Sequence, residues 1–186
     1  FNMIDVDGDQ STNDSVLLIA NGASESTLIE LDSGDANEFN DALTYVCTEL
    51  AKELVRDGEG AQRLIEVMVE GAKDEEDARK AARSVSSSNL VKAMVHGRDP
   101  NWGRIMMAIG KSSVMLEESR IDIYINDIHI VHEGVSIPFF KDAVISAMSA
   151  PEVKFRMNLN LGECSATAWS CDLTEEYVTF NSAYST

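Results

Sequence analysis

The fold class is decided by the stretch Val153–Lys–Phe–Arg–Met–Asn–Leu–Asn–Leu–Gly–Glu–Cys–Ser–Ala–Thr–Ala–Trp–Ser–Cys–Asp172. From Val153 to Leu161 every second residue is apolar, and the residues between them are polar. This period of two is typical of a strand with one buried face. The segment Ser165–Asp172 is predicted to form a second strand, and the short connection at Gly162–Glu163 predicts that the two strands pair as a hairpin.

Further segments have the apolar spacing of a helix. A long amphipathic helix is predicted over Asn37–Asp57, with Gly58 as its left-handed C-cap. Its apolar face consists of Phe39, Leu43, Val46, Cys47, Leu50 and Leu54. Asp74 is predicted to cap a second helix, because an aspartate side chain accepts hydrogen bonds from the free N–H groups of a first turn. A shorter helix around Leu90–Val95 is predicted to end at Gly97.

Other segments have the character of strands. Arg63–Gly71 alternates apolar and polar residues imperfectly, which fits a strand. Ile121–Ile125 and Ile128–Val131 are predicted to form a hairpin around a two-residue turn at Asn126–Asp127. Helices that alternate with strands, together with antiparallel pairing, predict the α+β fold class.

Size and composition bound the organisation of the chain. Its 186 residues are enough for one large core or two small domains. A glycine and a charge cluster near Lys73–Asp74 predict a domain boundary between residues 1–73 and residues 74–186. Apolar runs such as Val16–Ala20 are too short to span a bilayer. The three cysteines form no C-x-x-C pair, which argues against a disulfide framework and predicts a cytoplasmic protein.

The charge of the chain excludes one class of partner. Its 32 acidic residues outnumber its 15 basic residues, and the formal net charge is −17. Such a surface repels phosphate backbones, so no binding of nucleic acid is expected. Because the acids are dispersed, we interpret them as a solubility feature. A non-catalytic acidic interaction subunit remains one alternative function.

The aspartates of Asp5–Asp9 resemble the start of a calcium-binding loop. An EF-hand requires glycine at the sixth position and glutamate at the twelfth, where this chain has Gln10 and Val16. We therefore predict no calcium site. Ser11–Asp14 is instead interpreted as the cap of a helix that holds Val16–Ile19.

Two histidines and two cysteines are candidate metal ligands. On a regular strand, His129 and His132 would point to opposite faces, because their numbers differ in parity. Cys164 and Cys171 differ in parity as well. Since no tetrahedral ligand set follows from these residues, no metal site is predicted.

Two blocks hold polar residues that could act on a ligand. In Asp57–Gly–Glu–Gly60, the glycines allow close approach of a ligand, and Glu59 could bind an ammonium group. A helix end followed by a solvated acid is the equally acceptable structural interpretation. In Asp99–Pro–Asn–Trp–Gly–Arg104, capping of the next helix is favoured over binding of a carboxylate by Arg104.

Four ordered blocks carry a resemblance to a known family. They are Asp7–Gly–Asp–Gln–Ser–Thr–Asn–Asp14, Val55–Arg–Asp–Gly–Glu–Gly–Ala61, Asp99–Pro–Asn–Trp–Gly–Arg104 and Ala168–Trp–Ser–Cys–Asp–Leu–Thr–Glu–Glu–Tyr–Val178. In these residues the chain resembles the β subunit of the glutamate/ornithine N-acetyltransferase family of arginine biosynthesis. Gln10 stands where the family usually has threonine, and Ser170 where it usually has glycine. The likeness covers essentially the whole chain.

The resemblance implies a fold and a partner. Family members are made as one precursor that cleaves itself before a threonine, and this threonine becomes the N-terminal nucleophile of the β subunit. It would lie upstream of Phe1, so no catalytic residue is expected in these 186 residues. The implied fold is a layered αββα-type sandwich completed with a partner α chain, plus a smaller α/β C-terminal domain whose tail returns to the active site. The implied assembly is an α2β2 heterotetramer.

The resemblance also implies the reaction. Acetyl moves from N-acetylornithine to the threonine and then to glutamate in a ping-pong mechanism, and some members also use acetyl-CoA. No dissociable cofactor is implied. The substrate contacts that the resemblance assigns are Glu59, Asn181 and Thr186. A related aminopeptidase with an N-terminal nucleophile is the alternative enzyme.

Overall fold

A mixed β-sheet with helices packed against it forms the centre of the chain. The computed structural model describes residues 1–183. Its strands are β1 (Ile4–Asp5), β2 (Leu64–Ala72), β3 (Asp122–Ile125), β4 (Ile128–His132), β5 (Val135–Ser136), β6 (Glu152–Asn158) and β7 (Cys164–Cys171). Its helices are α1 (Gly34–Arg56), α2 (Glu75–Ser86), α3 (Asn89–Gly97), α4 (Trp102–Gly110), α5 (Lys141–Ala147) and α6 (Glu175–Ala183). The predicted α+β class is confirmed, and none of these helices is long and apolar enough to cross a membrane.

The order of strands in the sheet corrects one prediction. The seven strands follow the order β1-β7-β2-β6-β3-β4-β5. Strands β6 and β7 exist as predicted, but they do not pair as a hairpin, because β2 lies between them, parallel to β6 and antiparallel to β7. Apolar residues at Ile65, Val67 and Val69 are fully buried, which suits a central strand. The alternation in β6 and β7 would be the same whichever strand lay beside them, so it does not indicate that β2 lies between them.

One face of the sheet carries the main core. Helix α2 lies on this face through Ala78, Ala81 and Ala82, whose small side chains are fully buried. The predicted cap is confirmed, since Asp74 Oδ1 accepts a hydrogen bond of 2.9 Å from the Asp77 N–H. Helices α3 and α4 also contribute to this core. Asn101 stands at the start of α4 but makes no side-chain capping bond, so that part of the capping prediction is wrong.

Helix α1 forms as predicted, but most of its apolar face is exposed. Phe39 is 51% exposed and Leu54 is 54% exposed, whereas only Ala51 and Val55 are buried. The predicted left-handed cap at Gly58 is wrong, because α1 ends at Arg56, its C-cap Asp57 has a φ of −86°, and Gly58 does not have a positive φ. The left-handed conformation occurs two residues after Gly58 instead, at Gly60, whose φ is +70°.

The helix predicted around Val16–Ile19 does not form. These residues have no regular secondary structure, and Leu17 is 82% exposed. A short helix gains its stability mainly from burying an apolar face, and no described element covers these side chains. The segment therefore presents apolar residues on the surface of the described chain.

The hairpin of β3 and β4 is confirmed, and a bulge in it overturns a second prediction. Asn126 and Asp127 both have positive φ, as a tight two-residue turn requires. Ile123 pairs with Val131, whereas Tyr124 pairs with His129, so β4 has one extra residue. Because a bulge shifts the alternation by one residue, the two histidines of β4 lie on the same face. Their rings are 5.4 Å apart, and the prediction of opposite faces is wrong.

Candidate substrate-binding site

Two glycines bring the loop after α1 close to the C-terminal segment. A Cβ on Gly58 would meet Val6 Cγ1 at 3.0 Å and Cys171 Sγ at 3.2 Å. A Cβ on Gly60 would meet the Tyr177 nitrogen at 2.7 Å, and its φ of +70° is unfavourable for other residues. The glycines on both sides of Glu59 are thus needed for close packing of three parts of the chain.

Hydrogen bonds fix the approach of α6 to this loop. Thr174 Oγ1 donates to the Gly60 carbonyl at 2.8 Å, just before α6 begins. Tyr177, in the first turns of α6, donates its hydroxyl to Asp7 Oδ2 at 3.1 Å. Burial and this bond to a carboxylate raise the pKa of Tyr177. The bonds join the N-terminal segment, the loop after α1 and α6.

Asp172, which follows β7, binds the backbone of the loop after α1. Its side chain is fully buried, and its Oδ1 accepts hydrogen bonds of 2.8 Å from the Gln62 and Arg63 N–H groups. Arg63 Nη1 lies 3.3 Å from Asp172 Oδ2. The block that ends β7 therefore shapes the loop that follows Glu59, a structural role that sequence reasoning did not assign.

Glu59 and Asn181 lie in direct contact, although 122 residues separate them in the sequence. Asn181 Nδ2 donates to Glu59 Oε2 at 2.5 Å and to the Tyr177 carbonyl at 3.0 Å. Two of the three predicted substrate contacts are thus together in space. Thr186, the third, lies outside the described residues.

A cavity of about 810 Å³ opens beside Glu59 and Asn181. Its acidic lining residues are Asp5, Asp7, Asp9, Asp14, Asp57 and Glu59. Arg79 and Arg83, one turn apart on α2, are its basic lining residues. A smaller cavity of about 430 Å³ shares Glu59 and Asn181 and adds Phe180. The site therefore offers many carboxylates and two guanidinium groups to a small ligand.

A buried cation anchors the strand that enters this cavity. Lys92 on α3 is fully buried, and its Nζ lies 2.5 Å from both Asp5 Oδ1 and the Val6 carbonyl oxygen. Cys171 Sγ donates to the same Val6 oxygen at 3.6 Å, and burial raises the pKa of its thiol. Sequence reasoning missed Lys92, because a lone lysine within an apolar helix has no distinctive pattern.

Arg104 lies elsewhere. Its Nη1 donates to the Leu90 carbonyl at 3.1 Å, and it lines neither cavity described above. The structural interpretation of the Asp99–Arg104 block therefore agrees with the contact that Arg104 makes.

Known proteins are similar to this chain in sequence over its whole length. The model of the ArgJ family matches residues 1–186. An arginine biosynthesis bifunctional protein ArgJ from Symbiobacterium thermophilum is 49% identical over 186 residues, which are 100% of this chain and 46% of the relative. A glutamate N-acetyltransferase from Methanopyrus kandleri is 49% identical over 190 residues, covering 100% of this chain and 48% of the relative.

A solved structure shares the fold. The crystal structure of the arginine biosynthesis bifunctional protein ArgJ from Bacillus halodurans matches with a TM-score of 0.96 and 40% identity. The match covers 99% of this chain and 87% of that one. By contrast, the chain spans about half the length of the curated relatives that it matches. The family match over all 186 residues, together with this likeness in fold, shows that the chain belongs to the ArgJ family.

Proposed function

We propose that the chain is the β part of an acetyltransferase that moves acetyl from N-acetylornithine to glutamate in arginine biosynthesis. The observation that carries this proposal is the contact between Glu59 and Asn181 at the edge of an acid-lined cavity. The names of two relatives support it, since one is an arginine biosynthesis protein and one a glutamate N-acetyltransferase.

The charges of the cavity fit substrates of this class. Carboxylates attract an ammonium group, and Glu59 is the acid that already accepts a hydrogen bond from Asn181. A guanidinium binds a carboxylate through two parallel bonds, and Arg79 and Arg83 lie on the cavity wall. Amino-acid substrates that carry both charges would therefore be oriented between α2 and the loop after α1.

In the proposed mechanism the chain binds and orients, and the reacting atoms come from outside these residues. A threonine upstream of Phe1 would attack the acetyl carbonyl, with its own α-amine as the base. Collapse of the tetrahedral intermediate would break the amide bond, release ornithine and leave an acetyl ester on the threonine. The amine of glutamate would then attack this ester and regenerate the hydroxyl. Donors on the partner chain would stabilise the oxyanion in both steps, without a dissociable cofactor.

The exposed apolar residues support a partner chain. The face of α1 and the segment around Val16–Ile19 together expose several large apolar side chains, which is unusual for a surface that faces water. We infer that an α chain from the same precursor covers them, which would complete the layered αββα sandwich and allow an α2β2 assembly in the cytoplasm. The division into a sandwich part, residues 1–73, and a C-terminal α/β domain, residues 74–186, stays a prediction. Strand β2 of the first part lies in one sheet with β6 and β7 of the second.

A second acetyl donor is a separate candidate. Several relatives are called bifunctional proteins, and acetyl-CoA is the donor that the family resemblance adds to N-acetylornithine. We propose this activity for the same acyl-enzyme, because both donors would deliver acetyl to one threonine.

Glu59→Gln tests the proposed function in the whole protein that contains this chain. Loss of one charge-assisted contact should cost about 1.5–3 kcal/mol, which is about a 10- to 150-fold fall in kcat/KM for N-acetylornithine. Glu163→Gln is the matched control, because Glu163 is exposed and lines neither described cavity. Melting curves of both variants should equal that of the parent protein. Unchanged kinetics in Glu59→Gln would remove Glu59 from the site, and absence of acetyl transfer in the parent protein would refute the proposed function.

A further inference from the structure

Three metal-ligating side chains meet on the β3–β4 hairpin. One ligand atom from each of Asp122, His129 and His132 lies within 4.8 Å of the other two. His132 Nδ1 is 2.8 Å from Asp122 Oδ1, and His129 Nε2 is 3.8 Å from the same oxygen. In a tetrahedral zinc site, ligand atoms are separated by about 3.3 Å, given Zn–N distances of about 2.0–2.1 Å. The observed separations lie on both sides of that value, so small side-chain rotations would complete the geometry.

The bulge in β4 is what assembles the cluster. Asp122 and Tyr124 point to the same face of β3, since they are two residues apart. Across the bulge, Tyr124 stacks on His129 with ring centroids 4.2 Å apart, and Asp122 bonds to His132. On a regular strand only one of these histidines could have faced Asp122. The extra residue in β4 thus places two imidazoles beside one carboxylate.

Neighbouring groups hold the ligands in place and leave one ligand atom without a partner. Asn160 Nδ2 donates to Asp122 Oδ2 at 3.0 Å and the Glu133 N–H donates to Asp122 Oδ1 at 3.0 Å, so both bonds hold the carboxylate with Oδ1 beside the histidines. The Arg156 guanidinium lies 3.7 Å from the Tyr124 ring centroid and so supports the ring that stacks on His129. His129 Nε2 is buried and has no hydrogen-bond partner among residues 1–183. A buried polar atom without a partner is uncommon in proteins and commonly marks an unseen water or ion.

We propose that Asp122, His129 and His132 bind one divalent transition-metal ion of the zinc class. Imidazole nitrogen and carboxylate oxygen are the donors that this class prefers, and three protein ligands leave a fourth position for water. His132 is 55% exposed, so an ion can enter from that side. Binding replaces the bond between His132 and Asp122, and the imidazole proton of His132 is retained on its other nitrogen or released to solvent.

The site is distinct from the candidate substrate site and independent of the proposed function. Strands β7, β2, β6 and β3 lie between β1, at the substrate cavity, and β4. At about 4.8 Å per strand, the two sites are about 24 Å apart across the sheet. The ion would clamp the two strands of a hairpin near the edge of the sheet, and it would stabilise the folded protein because the unfolded chain lacks the site.

The test is calorimetric titration of Zn²⁺ into the metal-free whole protein that contains this chain. We expect about one equivalent to bind and the melting temperature to rise. His129→Gln and His132→Gln should each weaken binding more than about 100-fold, because even changes outside the ligand set cost about 10- to 100-fold. Asn160→Gly should cost about 10- to 100-fold, and glycine tolerates the φ of +52° at this position.

His96→Gln is the matched control, because His96 is the third histidine of the chain and lies beside Asp172 and Glu175, away from the hairpin. It should bind Zn²⁺ like the parent protein. Metal-free His132→Gln should melt like the metal-free parent, since this side chain is largely exposed. The proposal is overturned if the parent protein binds no Zn²⁺, if His132→Gln binds it with unchanged affinity, or if His96→Gln loses binding to the same extent.

Discussion

Helices α1 and α2 make an instructive comparison, because both are amphipathic and only one has its apolar face covered. In α2, Ala78, Ala81 and Ala82 are fully buried against the sheet. In α1, Phe39 and Leu54 are more than half exposed. The same kind of pattern thus predicts a helix in both places, but it does not tell where the surface that covers the helix comes from. One region has its apolar residues buried in a core within residues 1–183, and the other has an apolar face that no described element covers.

The largest expected effect is the difference between a core aromatic residue and an α1 aromatic residue. Phe155→Ala should lower the free energy of unfolding by about 3–5 kcal/mol, because Phe155 is fully buried in β6 and its removal leaves a cavity. Phe39→Ala should leave the core intact and should instead weaken association with the partner chain that we infer. Chemical denaturation measures the first effect, and analytical ultracentrifugation of the whole protein measures the second. Unchanged association in Phe39→Ala would show that this face of α1 is not the interface.

The second effect concerns the contact that joins the main core to the strand at the cavity. Lys92 lies on α3, which contributes to the main core, whereas its partner Asp5 lies on β1 and lines the cavity. Lys92→Met should lower the free energy of unfolding by about 3–5 kcal/mol, because Asp5 would lose the partner of a largely buried carboxylate. Lys80→Met is the matched control and should change stability far less than Lys92→Met does, since the ion pair of Lys80 with Glu76 is exposed.

A double variant sharpens this second prediction. Adding Asp5→Asn to Lys92→Met removes the unpaired charge and should recover part of the lost stability. Equal stability of Lys92→Met and the parent protein in urea titrations would mean that water solvates Asp5 and that the contact does not join the regions energetically.

The local sequence pattern predicts most helices and strands of the chain, but it does not predict which elements lie beside one another. Alternation in β6 and β7 identified both strands, but the pairing depended on β2, which lies about eighty residues before β6 in the sequence. The spacing of apolar residues predicts α1, but it does not predict that most of its apolar face is exposed within residues 1–183. Parity separated His129 from His132, and one extra residue in β4 reversed the outcome. In each case the decisive contact is distant in sequence, or comes from an irregularity that no periodic pattern contains.

Local sequence patterns have the same limit at the candidate site. Glu59 was recognised locally by its two flanking glycines, and both glycines prove to be sites of close approach. Asn181 had no local signal, and only the family resemblance connected it with Glu59. Lys92 was missed because its function as an anchor depends on Asp5, which is distant in the sequence. The chemistry of a single loop can thus be inferred from its residues, whereas the assembly of a site requires the fold.

The smallest expected effect concerns the contact between the N-terminal segment and α6, where Tyr177 bonds to Asp7. Burial and the neighbouring carboxylate raise the pKa of Tyr177 above its ordinary value of 10.0. A raised pKa means that the folded protein favours the neutral phenol. The stabilisation is therefore fully present below pH 10, and it is lost as the pH rises from there through the pKa of the folded state. The phenolate absorbance of the folded protein should include a step above pH 10, and Tyr177→Phe should remove that step. Asp7→Asn should move the step toward lower pH, because it removes the neighbouring charge while an amide can still accept the hydrogen bond. If Tyr177→Phe leaves the absorbance above pH 10 unchanged, the bond to Asp7 does not hold the N-terminal segment against α6, and the cavity wall at this point is set by the glycine contacts alone.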